Sequence, residues 1–515
     1  MATVALNSTE GKWVMVSAIL ASSMAFIDST ALNVVLPALQ KNLNATGADL
    51  FWILNAYLLI LASLILIGGS LGDKLGRRKI YMLGIFIFVC GSAACGLAPG
   101  VFLLTLFRMF QGFGGALMIP GSLALISSSI HETERGKAIG TWSAFTTVVT
   151  MGGPVLGGAL ADAGLWRYIF FINVPIGIAA LLMLWRKVKE VQNQESDKHL
   201  DIAGAILIAL GLALVTFGFL RVPAVGFKHW QAYGPLSLGI ILLLAFIQLE
   251  HKGKHPMMPL YLFNNMTFSG ANLLTFFLYG GMGAGMLFLS LNMVQTQGYS
   301  QLQSGLTFLP FTFMMIGIAR FAGALADKIG PRLLLIGGPA MAGTGLLLLS
   351  FVHDSGGPAH YWTTFFPGIV VFGLGMSFTV APLTATVMGS VNDQLSGTAS
   401  GINNALTRIA SVFANAIFGA LAVLFFAGAL QKPLDDLKIT SHQRQEILKQ
   451  TVDLGNAQPP KSIPKIDTEQ IRNIYKEGFI MAYSHVLQIS AGLGYIGALM
   501  AVLFVRNRGK LKSKN

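Results

Sequence analysis

Apolar runs of about twenty residues recur along the whole chain and limit its possible folds more than any other feature. A helix needs roughly twenty apolar residues to cross about 30 Å of hydrocarbon. Only 11% of the 515 residues are charged, whereas a soluble domain carries about a quarter. The sequence therefore predicts an all-α integral membrane protein. Its fourteen apolar runs are Trp13–Leu36, Leu50–Leu71, Ile80–Ala98, Phe102–Ser127, Ala138–Ala161, Tyr168–Trp185, Ile202–Leu220, Ala232–Leu249, Phe268–Val294, Gly305–Ala326, Leu333–Val352, Phe365–Val387, Gly397–Ala429 and Phe479–Val505.

The formal charge of +13 is distributed unevenly between the two sides of the predicted membrane protein. With the N-terminus placed in the cytoplasm, twenty Lys and Arg residues fall on the cytoplasmic side and four in the opposite short loops. This asymmetry follows the positive-inside rule and predicts that both termini are cytoplasmic. Basicity is thus explained by orientation in the cell membrane, and nucleic acid is not an expected partner. No cleavable signal precedes Trp13, so the first run is expected to remain as a span.

The chain repeats one loop motif. "GGSLGDKLGRRK" begins at Gly68 and "AGALADKIGPR" begins at Ala322, and the matching Asp73 and Asp327 are offset by 254 positions. Each copy follows the second span of a six-span unit, which predicts two related six-helix bundles, a transporter plan with its substrate site at the interface. We expect an N-terminal bundle at 13–186, a linker with two extra spans at 187–267, and a C-terminal bundle at 268–505. The C-terminal bundle includes an extracytoplasmic loop at about 430–477, in which a Pro-rich, helix-breaking stretch separates two helix-like runs.

Asp28 places a carboxylic acid inside the first apolar run, in the stretch "FIDSTALNVVLP". A charged side chain at mid-membrane costs about 2.5–3.5 kcal/mol on insertion scales, and such residues often mark ion or substrate pathways. An acid whose access to water alternates can load and release a proton. The other interpretation is a structural acid that helps Thr30 and Asn33 pack helices.

Polar residues share single faces on three further predicted spans. On span four, Arg108 and Gln111 lie on one face with Gly115 and Ser122, and an arginine there would favour proton release from a neighbouring acid. The other interpretation of Arg108 is a structural hydrogen bond to backbone. The faces on spans nine and thirteen carry Asn272, Thr275, Tyr279 and Met286, and Asn404, Arg408, Ser411 and Asn415, respectively. Such a stripe either lines a cavity that accepts ligands of varied shape or makes ordinary contacts between packed helices.

Several motifs follow one another along the chain: "DSTALNVVLP" from Asp28, "GSLGDKLGRRK" from Gly69, "LTLFRMFQGFGGA" from Leu104 and "GTWSAFTTVVTMGGPVLGG" from Gly140, with "WILNAYLL" and "WRYIFFINVPIG" as supporting stretches. Together and in this order they resemble the fourteen-span drug:proton antiporter branch (QacA/EmrB-like) of the major facilitator superfamily. The resemblance covers nearly the whole chain. It implies the major facilitator fold, with two six-helix bundles and two inserted helices.

The resemblance also implies roles for residues that match its motifs. It implies that Asp28 serves proton coupling or cation recognition and that Arg108 serves proton coupling. The antiporter motif of span five comprises Gly140, Gly153, Pro154, Gly157 and Gly158. Val149 stands where the family pattern has a further glycine. The repeated loop is expected to act as a latch between the bundles through Asp73, Gly76, Arg77, Arg78, Asp327 and Arg332, although anchoring by the positive-inside rule also explains its basic residues. The residues predicted to bind substrate are Asn33, Gln111, Asn272, Tyr279, Asn404 and Arg408.

Together these features predict a proton-coupled multidrug exporter that moves amphipathic small molecules by alternating access. An exporter of a lipid or an endogenous metabolite is the alternative within transport. A membrane enzyme or sensor is disfavoured because no nucleophile with a base, metal cluster or large soluble domain is evident. No metal or cofactor is expected, and Cys90 and Cys95 lie on different faces of one helix, which disfavours a disulfide. We expect a monomer in the bilayer and leave open whether accessory efflux proteins join it.

Overall fold

The computed structural model describes residues 4–188, 201–253, 256–391, 395–435, 437, 439–460 and 465–506. The side chains of some helical residues, Asp73 and Asp327 among them, lie outside this description. The α-helices of the described part are α1 (Thr9–Leu43), α2 (Gly47–Leu75), α3 (Arg77–Leu97), α4 (Val101–Ser129), α5 (Glu132–Asp162), α6 (Tyr168–Phe171), α7 (Asn173–Lys187), α8 (Ile202–Val225), α9 (Trp230–Lys252), α10 (Met266–Gln295), α11 (Gln301–Leu306), α12 (Leu309–Ile329), α13 (Pro331–Ser350), α14 (Phe365–Gly389), α15 (Ser396–Asp435), α16 (Ser441–Lys449) and α17 (Lys465–Phe504). Short 3-10 helices lie at Leu260–Asn264, Pro358–His360 and Gln450–Asn456.

Helix length and composition agree with the expected membrane protein. Among the described residues, 13 helical segments are long and apolar enough to cross a membrane, with α6 and α7 forming one of them and α11 and α12 another. Helix α5 has 31 residues, or about 46 Å at 1.5 Å per residue, which exceeds the hydrocarbon thickness. Helix α5 occupies the fifth predicted run, so the described residues come close to the fourteen spans predicted from the sequence.

The helices form two bundles with a helical pair beside them. Helices α1 to α5 and α7 pack on one another, as do α10, α12 to α15 and α17. The inserted helices α8 and α9 pack together, and α8 also contacts α2 of the first bundle and α15 of the second. The predicted fold class, two six-helix bundles plus two inserted helices, is confirmed. We call the two halves the N bundle and the C bundle.

Both described chain ends lie on one face of the molecule. Helices α1 and α10 end side by side at the opposite face, where Gln295 Nε2 donates to Gln40 Oε1 at 2.9 Å. The start of α10 lies beside the end of α17, where the Arg506 backbone N–H donates to Thr267 Oγ1 at 3.5 Å. We call the face with the start of α1 and the end of α17 the terminal face. The opposite face is the loop face, because it carries the segment between α15 and α17.

The repeated motif folds into the same turn in both bundles. Gly76 connects α2 to α3 with a φ of 105°, and Gly330 connects α12 to α13 with a φ of 89°. Only glycine adopts such backbone angles readily, which explains why both copies keep it. Pro331 of the second copy is the first residue of α13, a position where proline's missing N–H costs nothing.

Matching arginines of the repeat make matching contacts. Arg78 donates to the backbone oxygens of Leu184 and Trp185, at 2.9 and 2.7 Å, at the end of α7. Arg332 donates to the oxygen of Val502, at 2.9 Å, near the end of α17. Each arginine thus binds terminal carbonyls of the last helix in its own bundle, where cations are favourable.

The predicted latch between the bundles stays a prediction. The described contact of Arg77, a hydrogen bond of 3.3 Å to the Ala124 oxygen on α4, also lies within the N bundle. The carboxylates of Asp73 and Asp327, on which that prediction depends, fall outside the described side chains.

The segment between α15 and α17 is partly helical and docks on the loop face. Its helix α16 and the following 3-10 helix occupy the run in which the sequence predicts helix. Gln40 Nε2 of α1 donates to the Asp453 oxygen at 3.0 Å, and Asn456 Nδ2 donates to Gln40 Oε1 at 2.9 Å. Because Gln295 binds the same oxygen, one glutamine joins both bundles and this segment.

Candidate functional site

Asp28 lies fully buried in α1 and is paired with an arginine of α4. Its Oδ2 lies 2.5 Å from Arg108 Nη1, and the two side chains are 0% and 1% exposed. Its Oδ1 accepts a hydrogen bond of 3.0 Å from Gln111 Nε2. Both carboxylate oxygens therefore have donors, as a buried charge requires. We call Asp28, Arg108 and Gln111 with Tyr57 the carboxylate site.

Arg108 is held by partners on three helices. Besides Asp28 on α1, its Nη1 donates to Gln111 Oε1 at 2.9 Å, and its Nε donates to the Ile53 oxygen on α2 at 3.4 Å. Its guanidinium lies 4.4 Å from the centre of the Tyr57 ring, within range of a cation–π interaction. The predicted neighbourhood of Asp28 and Arg108 is thus present in the folded chain.

The spacing of the "RMFQG" segment explains how these groups meet. Arg108 and Gln111 lie three residues apart in α4, so both side chains leave the same face of the helix. At Gly112 an added Cβ would lie 2.6 Å from the backbone carbonyl oxygen of Tyr57, so glycine allows α2 to approach α4 closely. That approach brings the Tyr57 ring over Arg108.

The polar stripe of α15 lies along the contact between the two bundles. Asn415 Nδ2 is 3.4 Å from Asn55 Oδ1 on α2 and connects the bundles. Towards the terminal face, Ser411 and Arg408 are half-buried and Asn404 is exposed. The role of Arg408 and Asn404 in substrate binding stays a prediction.

The polar groups of α10 divide between packing and the bundle interface. Asn272 is 1% exposed, and its Oδ1 accepts from Asn403 Nδ2 at 3.0 Å while its own Nδ2 donates to the Phe268 oxygen at 2.9 Å. These bonds pack α10 against α15 within the C bundle. Tyr279 is half-buried and precedes Gly280, whose Cβ position lies 3.6 Å from the Ala410 oxygen on α15. Substrate binding by Asn272 and Tyr279, and by the half-buried Asn33 of α1, is untested.

The glycines of the span-five motif serve two different contacts. An added Cβ at Gly153 would lie 2.0 Å from Thr30 Oγ1, and one at Gly157 would lie 2.7 Å from the Ala31 oxygen, both on α1. At Gly158 it would lie 2.4 Å from the oxygen of Gln301, which belongs to the C bundle. The motif therefore packs α5 on α1 and also closes the loop face between the bundles. Pro154 lies within α5 between these contacts, and Gly140 lies nearer the start of the same helix.

Gly158→Ala is expected to disfavour the state closed at the loop face, because the new methyl group would meet backbone atoms that cannot rotate away. Overpacking of this kind costs about 1–3 kcal/mol. Spin labels at the exposed positions Asn42 and His353 would show a larger population of long label-to-label distances in this variant than in the wild type. Gly152→Ala is the matched control, because nothing lies within 4 Å of its added Cβ. Identical distance distributions for the two variants would contradict this prediction.

Asp162, at the end of α5, binds the start of α11 across the two bundles. Its carboxylate accepts hydrogen bonds from Ser300 Oγ at 2.6 Å, from the Gln301 N–H at 2.8 Å and from the Leu302 N–H at 2.9 Å. Asp162 lies outside the motifs and polar faces from which the sequence predicts functional residues. The three bonds make it an interbundle clamp at the loop face.

Asp162→Ala is expected to weaken this closure by about 1–3 kcal/mol, since three hydrogen bonds to a charged acceptor are lost and water replaces them only partly. The same spin-label pair would report a shift towards distances of the open loop face. Asp354→Ala is the control, because Asp354 pairs with Lys476 within the C bundle at 2.6 Å. A shift of equal size in the control would show that the effect is not specific to the clamp.

Two helical bundles with inserted helices and a buried carboxylate–arginine pair define the architecture of a secondary membrane transporter. The sequence matches the Major Facilitator Superfamily model over residues 18–415. The chain therefore belongs to the Major Facilitator Superfamily, whose members are transporters rather than enzymes.

Curated relatives with similar sequences are resistance and export proteins. The Tetracenomycin C resistance and export protein of Streptomyces glaucescens is 27% identical over 94% of this chain and 89% of its own length. Multidrug resistance protein Stp of Mycobacterium tuberculosis is 31% identical over 84% of this chain and 80% of its own. The Methylenomycin A resistance protein of Bacillus subtilis is 30% identical over 82% and 91%, respectively.

Solved transporters share the fold. A bacterial homologue of the human lysosomal transporter Spinster aligns with a TM-score of 0.67 at 18% identity, over 98% of this chain and 100% of that one. A D-xylose–proton symporter aligns with a TM-score of 0.58 at 14% identity, over 96% and 98%. At these identities the likeness establishes the architecture.

Proposed function

We propose that this protein is a proton-coupled exporter of amphipathic small molecules that works by alternating access. The observation that carries the proposal is Asp28, a fully buried carboxylate held by Arg108 and Gln111 inside the N bundle. The resistance and export functions named for its relatives support the efflux direction. The substrate would bind between the bundles, and both termini would face the cytoplasm of a bacterial cell.

Protonation of Asp28 would couple the carboxylate site to helix packing. A neutral carboxylic acid no longer compensates Arg108, so the ion pair between α1 and α4 weakens and Arg108 is free to change partners. Proton release restores the pair. Because α1 also carries Gln40 of the loop-face closure, a change in how α1 packs is transmitted to the contact between the bundles.

The energetics of this scheme are adequate for export. One proton entering the cell releases about 2.3 kcal/mol per 100 mV of membrane potential. That amount sustains roughly a fiftyfold concentration ratio of a neutral substrate at that potential. One proton per transported molecule therefore suffices for substantial resistance.

Proteoliposomes containing a pH-sensitive dye test the proposal. With an imposed proton gradient, addition of a transported compound should change internal pH in liposomes that contain the protein and not in protein-free liposomes. Cells expressing the protein should tolerate the same compounds. Tolerance without any substrate-induced proton flux would refute proton coupling, and absence of both would refute the exporter proposal.

A further inference from the structure

Arg408 carries a positive charge far from either end of α15. It lies twelve residues after Ser396, at which α15 begins, or about 18 Å along the helix axis. Its side chain is half-buried. Arginine is always protonated in proteins, so the charge is permanent. Among the described residues, Arg408 forms neither an ion pair nor a hydrogen bond through its side chain.

The positive charge of Arg408 is not matched by an unpaired acid at the same depth among the described residues of the spans. In the described part of the spans, the acid at comparable depth is Asp28, and both its oxygens are occupied by Arg108 and Gln111. Arg108 is thereby neutralised, while Arg408 has no described counterion. An uncompensated cation in surroundings of low dielectric attracts an anion strongly. Among the described residues of the spans, this depth therefore carries one positive charge without a counterion.

Polar and aromatic groups lie near Arg408 where the two bundles meet. The helix of Arg408 lies between the two halves, because Asn415, seven residues further on, is 3.4 Å from Asn55 of the N bundle, and Ser411, three residues further on, has its Oγ 3.7 Å from the Cβ position of Gly283 on α10. Tyr279 of α10 is half-buried. Asn404, one turn away on the same face, is exposed and offers amide hydrogen bonds. A guanidinium binds carboxylates and other oxyanions through two parallel hydrogen bonds, and aromatic rings favour apolar ligands.

We propose that Arg408 binds the acidic group of an amphiphilic substrate, so that the compounds carried best are organic oxyanions. This inference rests on the proposed export function and specifies its substrate class. An anionic lipid headgroup presents the same chemistry, so a test must separate a small molecule from a lipid.

Binding of matched probes to the purified, delipidated protein provides the test. Pyrenebutyrate, its methyl ester and a pyrenylbutyl trimethylammonium salt share one apolar body and differ in charge. We expect the wild type to bind the carboxylate about tenfold or more tightly than the ester. Arg408→Gln should abolish this preference, while Arg408→Lys should retain part of it. Arg221→Gln is the matched control, because Arg221 is exposed on α8 and stacks on Phe217.

The possible outcomes separate the inference from the export function. Equal affinity for carboxylate and ester in the wild type, binding of neither, or an unchanged preference in Arg408→Gln would overturn the anion site. Displacement of the carboxylate by phosphatidylglycerol, together with no export of anionic compounds, would assign Arg408 to a lipid headgroup and also overturn the proposal. Drug tolerance and proton flux in the wild type would still report export separately. If the wild type showed neither drug tolerance nor proton flux, the proposed export function itself would be refuted.

Discussion

Asp28→Asn is expected to reduce substrate-induced proton flux to the level of protein-free liposomes. Asparagine has nearly the same shape as aspartate and can still accept a hydrogen bond from Gln111, but it cannot bind and release a proton. Arg108 would also lose its counterion and remain charged in every state. The measurement is internal pH in proteoliposomes after addition of a transported compound.

Two further variants make the result specific to the carboxylate. Asp28→Glu keeps a titratable group on a longer side chain and should retain measurable flux. Asp354→Asn applies the same chemical change to an exposed acid of the loop face and should leave flux unchanged. If Asp28→Asn couples as well as the wild type, Asp28 is structural and the proton must move through another group.

The carboxylate site was predictable because its signals are local. Asp28 and Arg108 are charges within long apolar runs, and such charges rarely occur in membrane helices without a function or a partner. Gln111 shares a helix face with Arg108 through the spacing of the helix alone. The repeat likewise predicted a matching loop after the second span of each bundle, and in both copies the structure has a glycine at a positive φ there, Gly76 and Gly330.

The contacts that close the loop face were not predictable in this way. Asp162 and Gln40 lie near helix ends, where polar residues are usual and carry no distinctive signal. Their partners Ser300 and Gln295 lie more than 100 residues away in the sequence. Which helix ends meet depends on how the two bundles are set against each other. Helical periodicity describes the faces of one helix and does not fix that arrangement.

Arg108→Gln is expected to destabilise the protein by about 3–5 kcal/mol, the usual effect of removing one partner from a buried ion pair. The Asp28 carboxylate would remain buried with only the Gln111 amide as a donor from the described site. Thermal unfolding in detergent should show a lower midpoint temperature than the wild type.

The double variant Asp28→Asn with Arg108→Gln is expected to recover most of that stability, because both buried charges are removed and two amides can hydrogen-bond to each other. It should remain inactive in the proton-flux assay, since no titratable group has been restored. Recovery of stability without recovery of coupling would separate the structural role of the ion pair from its role in proton transfer. A double variant no more stable than Arg108→Gln would show instead that Arg108 stabilises the helices mainly through Ile53 and Tyr57.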